Sequence, residues 1–192
     1  MSQVKTESKA ASKPAAKKGE DMKKGEDMMA LLHHTLKDVY FAENQILKTL
    51  PSLVKAAQDA ELKKALDGHK TETEHQIVRL EQIFTIMGHK PEGVPCEAIK
   101  GILKEGHEIL EKFGGTLAGD AGLIAACQSV EHYEICRYGT MKRWATEIGM
   151  KEVASLLDET LQEEYKADDT MTRIAETSAN LKAESKSIKA HA

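Results

Sequence analysis

A chain of 192 residues suits one domain of ordinary size with tails and is long enough to bury a sizeable core. Its three cysteines, Cys96, Cys127 and Cys136, form no CxxC pair, and an odd number argues against a disulfide framework. No apolar run approaches the ~18 residues of a membrane span and no apolar segment follows the N-terminal lysines, so a soluble cytoplasmic protein is expected.

The net charge of −4 is unevenly spread. Residues 1–26 carry seven Lys against four acids, and the remainder is acidic, with 20 basic and 27 acidic residues. That opening stretch is rich in Ser, Ala, Lys and Gly and repeats KKGEDM at 17–22 and 23–28, the composition of a disordered tail. Clustered Lys can neutralise phosphates, but interleaved acids and the lack of aromatics favour a solubilising tail over a nucleic-acid arm. Aromatics make up only 4% of the chain, whereas Ala, Leu, Glu and Lys are common, which predicts an all-α fold.

From 27 to about 57, Met29, Leu32, Leu36, Val39, Ile46, Leu50, Leu53 and Ala57 recur in steps of three and four, the pattern of an amphipathic helix. Glu43 fills the one missing place in that stripe. Pro51 should kink or loosen the helix. Gln58 and Asp59 mark a turn, with Asp59 as N-cap of a second helix ending near Gly88. Its stripe runs Leu62, Leu66, His69, Glu72, His75/Gln76, Leu80, Ile83 and Met87. Gly88, Pro91, Gly93 and Pro95 then open a connection of some thirty residues carrying a short helical piece at 97–113. Helix–helix links within a bundle usually take ~2–8 residues, so this one suggests a crossover along the bundle. Asp120 can cap a third long helix with Cys127, Glu131, Glu134, Tyr138 and Met141 on its stripe. After Gly149 a fourth follows, with Val153, Leu157, Leu161, Glu164, Asp168 and Met171 on one face. The expected organisation is a folded bundle over 27–178 and a polar, fraying tail over 179–192.

In a helical hairpin, residues equally far from the turn share a height. Glu43 and Glu72 are equidistant from the first turn, and Glu131 and Glu164 from the second, each ~21–25 Å along its helix at 1.5 Å per residue. Four carboxylates in one layer are very unfavourable unless compensated. Two divalent cations would balance them, with His75, three after Glu72 on the same face, completing one shell; carboxylate plus imidazole suits iron or manganese. A hydrated polar network without metal is the bland alternative. His69 is read as a satisfied core histidine or a support to a ligand. Tyr40 and Tyr138, one turn from Glu43 and Glu134, could hydrogen-bond ligating carboxylates.

The phrases LKDVYFAENQILKTLPSL at 36–53, HKTETEHQIVRLEQIF at 69–84, SVEHYEICRYGT at 129–140 and LLDETLQEEYKADDTMTRIA at 156–175 resemble the YciF/YciE family of bacterial ferritin-like stress proteins. The resemblance implies a ferritin-like four-helix bundle in which Glu43 matches the first helix, Glu72 and His75 the second, Glu131 the third and Glu164 the fourth. Ala167 stands where the second histidine should fall, and Glu134 resembles the extra third-helix carboxylate of rubrerythrins. The expected metal set is therefore Glu43, Glu72, His75, Glu131, Glu134 and Glu164, holding two Fe, or Mn, per chain, in a homodimer that meets peroxide or dioxygen during stress. The alternatives are a non-catalytic helical stress protein with a vestigial site, and mini-ferritin-like iron storage with a DNA-binding tail.

Overall fold

The computed structural model describes residues 16–184, and side chains from residue 26 onward. It is all-α among the described residues, with helices α1 (Ala16–Ala56), α2 (Ala60–Ile86), α3 (Glu97–Phe113), α4 (Leu117–Glu147) and α5 (Lys151–Ile174). Helix α1 thus begins ahead of residue 27, over the Lys-rich repeats. The tail expectations for residues 1–15 and 185–192 lie outside the described residues. A π-helical turn, Ala175–Ala179, follows α5, and helix continues to residue 184.

The tight turns are explained by local chemistry. Asp59 caps α2 as expected, accepting from the backbone N–H groups of Glu61 and Leu62. Gly88 (φ +76°) ends α2, with His89 N–H donating to the Phe84 carbonyl 2.9 Å away. Gly149 (φ +81°) ends α4 in the same way, with Met150 N–H donating to Ala145 at 2.8 Å. Both are Schellman closures, which need a residue in the left-handed region. Helix α1 continues through Pro51, whose ring is exposed.

One capping expectation is corrected. Thr116, not Asp120, caps α4, its hydroxyl accepting from Gly119 N–H. Asp120 instead turns its carboxylate to the α1–α2 turn and accepts from the N–H groups of Gln58 (2.8 Å) and Asp59 (2.7 Å). The far end of the chain joins them, since Ser178 and Lys182 both donate to Asp59. These bonds tie Ser178 and Lys182 to the α1–α2 turn.

The Asp120 contacts place the start of α4 at the α1–α2 turn, so the crossover with α3 returns the chain along the bundle. Helices α1 and α2 form one hairpin and α4 and α5 the other, with α1 beside α4 and α2 beside α5. Their apolar faces build two clusters. One holds Ile46, Leu50, Leu62, Leu66, Leu123 and Ile174 near the α1–α2 turn. The other holds Leu36, Val39, Leu80, Phe84, Met141 and Leu157 near the α4–α5 turn. Between them lies a polar layer.

Candidate metal centre

The polar layer draws on all four long helices. Glu43 of α1, His69, Thr73 and Gln76 of α2, Glu131 and Glu134 of α4, and Glu164 of α5 are all buried. His69, Glu131, Glu134 and Glu164 each place one ligand atom so that all four atoms lie within 4.8 Å of one another. His69 Nε2 is 3.7 Å from Glu131 Oε1. Tyr138, fully buried, donates its hydroxyl to Glu43. Gln76 donates to Glu164 at 2.5 Å and to Glu163 at 3.1 Å. Glu163 in turn receives both arms of the Arg79 guanidinium, at 2.7 and 2.6 Å, so a rigid charged fork holds the outer edge of the layer.

Of the expected ligands, the structure brings Glu43, Glu131, Glu134 and Glu164 into this layer and leaves Glu72 and His75 outside it. Glu72 is partly exposed, 3.9 Å from Lys166 Nζ, and His75 is exposed. The buried face of α2 runs Leu62, Leu66, His69, Thr73, Gln76, Leu80, Ile83, in strictly alternating steps of four and three. Taking Glu72 and His75 after His69 requires consecutive steps of three, which rotate off that face because a full turn needs 3.6 residues. His69 and Gln76 are therefore the α2 residues that sequence reasoning under-weighted, and the unbroken alternation was the signal that could have found them. Tyr40 also turns elsewhere, donating to Glu81 at 2.9 Å.

Burial dominates the electrostatics. Desolvation raises the Glu43 carboxyl to about 7, against partial relief from the Tyr138 hydroxyl and from Glu134. Glu134 is held well above the carboxylate range by burial and then by the charges of Glu43, Glu164 and Glu131. Glu164 is raised by burial and then by sharing a hydrogen bond with, and being repelled by, Glu131. Without a cation, burial therefore favours the protonated forms of Glu43, Glu134 and Glu164.

The donor set fits a cation. Glu43 Oε2, Glu131 Oε2, both Glu134 oxygens, Glu164 Oε2 and His69 Nδ1 are buried without a hydrogen-bonding partner. So many unpaired polar atoms in one layer are costly, and a positive ion would meet them. Oxygen donors with one imidazole can hold a divalent metal ion.

The comparisons with known proteins agree with this architecture. Residues 27–184 match a family model described as "Domain of unknown function (DUF892)". The chain belongs to the DUF892 family. It is 39% identical over 154 residues to protein YciF of Escherichia coli K12, covering 80% of this chain and 93% of that one. The crystal structure of that E. coli stress protein superposes with a TM-score of 0.76 at 36% identity, over 80% of this chain and 97% of the other. YcfI from Rhodopseudomonas palustris gives a TM-score of 0.74 at 42% identity, over 76% and 92%. A protein from Xanthomonas campestris, at 18% identity and a TM-score of 0.63, shares the fold. The DUF892 match includes every residue of the polar layer. Among the described residues no helix is long and apolar enough to cross a membrane.

Proposed function

We propose that this DUF892 protein is a ferritin-like metal protein of the stress response, holding iron in the polar layer and reacting with dioxygen or peroxide. The observation that carries this reading is the set of orphaned buried acceptors on Glu43, His69, Glu131, Glu134 and Glu164. His69, Glu131, Glu134 and Glu164 would hold one ion, and Glu43, beside Glu134, would join them around a second. Four carboxylates balance two divalent charges, so manganese would satisfy the same electrostatics. Bound iron would supply the electrons for reduction of the oxidant. The chain's own contribution is separable from that chemistry. Tyr138 and Gln76 fix the directions of Glu43 and Glu164, the two apolar clusters exclude bulk water above and below, and Glu134 and Glu164 give up protons as the ion enters.

The test is anaerobic addition of ferrous iron to metal-free protein, followed by dioxygen or peroxide in separate experiments. Oxidation faster than that of free ferrous iron in buffer, lost in Glu131→Ala, is the expected result. A second reading, an inert metal held for structure, is favoured by the single imidazole in the layer and by Ala167 on α5, where a second donor is missing. It predicts that iron binds yet oxidises no faster than in buffer.

A further inference from the structure

A second feature of the bundle leads to the same layer from outside. Helix α3 leans on α4, and its apolar residues Ile102, Leu103 and Leu110 remain only half-buried, although Ile99 is completely enclosed. Under them, between α1, α3 and α4, lies a cavity of about 60 Å³. Its lining runs from exposed residues, Ser52 and His107, to buried ones, His69 and Glu131. At its wall α3 and α4 approach closely through Gly106 and Ala126, where a Cβ on Gly106 would lie only 3.2 Å from that of Ala126.

The walls decide what can occupy it. Much of the lining is apolar, including Leu50, Ile102, Leu103, Leu123 and Val130. The Thr49 and Ser52 hydroxyls already donate to the backbone carbonyls of Gln45 and Thr49. His107 lies on the surface beside Glu111, at 3.3 Å. A peroxide molecule would lose partners for both O–H groups along the apolar stretch, whereas an apolar diatomic has none to lose. The volume is below the ~150 Å³ that accommodates benzene, which restricts an occupant to a few heavy atoms. Cys127 lines the cavity too, but burial raises its thiol to about 12, so it remains a neutral apolar wall.

We propose that this cavity is an entry and holding site for dioxygen, carrying it from the Ser52/His107 surface to the His69/Glu131 edge of the acidic layer. The proposal rests on the reading of that layer as an oxidant-reactive metal centre and selects dioxygen over peroxide as the molecule admitted. Its test uses metal-free protein with labelled methyl groups under dioxygen pressure, where the paramagnetic gas speeds relaxation of the protons it visits. Methyls of the buried lining residues Leu50, Leu66 and Leu123 are expected to relax several-fold faster than those of Leu32, Leu36 and Leu80, which are as deeply enclosed in the other cluster. Leu103→Phe on α3 and Leu53→Phe on α1, each adding ring volume to the lining, should abolish the excess. Equal enhancement in both halves of the wild-type core, or an excess that persists in a folded blocking variant, overturns the proposal. Because no metal is present, the outcome is independent of whether iron binds, and iron binding is measured without reference to the cavity.

Discussion

At the scale of single residues, the layer is a set of acids whose deprotonation opposes folding as the pH rises. Glu43 has its pKa raised from the ordinary 4.5 to about 7. Between those values the folded chain keeps a proton that the unfolded chain has released. The unfolded state then binds fewer protons, so stability falls with increasing pH. Glu134 and Glu164, raised by the same burial, extend that loss to higher pH. Metal-free protein should therefore show a Tm that falls from about pH 5 to about pH 8 in thermal melts. A bound divalent ion prefers the deprotonated acids, so metal-loaded protein should lose this trend or reverse it. A metal-free Tm that rises across that window would contradict the arrangement of the acids.

At the scale of elements, the helices were legible because their residues repeat. The stripes of α1, α4 and α5 place Glu43, Glu131, Glu134 and Glu164 in the seams where the structure buries them. Helix α2 shows the limit. Height along a hairpin can be counted from the turn, but azimuth depends on an unbroken alternation of threes and fours. Equal distance from the turn put Glu72 level with Glu43 without making it face inward. The mate of Asp120 was equally invisible, because its partners Gln58 and Asp59 lie some sixty residues away and belong to a turn rather than to a stripe. That contact should matter energetically. Asp120→Ala leaves the buried Asp59 N–H and the Gln58 N–H without their acceptor, and chemical denaturation should register a loss of about 2 kcal/mol. A variant as stable as the parent would mean that water replaces the carboxylate without penalty.

At the scale of the whole molecule, the bundle consists of two apolar clusters separated by one acidic layer, with α3 carrying the chain back so that all four long helices converge there. This arrangement accounts for a layer that would be unfavourable if empty of positive charge. It also puts the His69 ring in the layer and leaves the His75 ring on the outside. The most direct measurement is the iron content of protein loaded anaerobically with ferrous iron and desalted, comparing the parent with the His69→Ala/Glu134→Ala and Glu72→Ala/His75→Ala pairs. The account predicts retention of iron by the parent and by the Glu72/His75 pair, and loss of most of it in the His69/Glu134 pair while helical content is maintained. Iron lost from the Glu72/His75 pair but kept by the His69/Glu134 pair would contradict it and return the site to the outer face of α2.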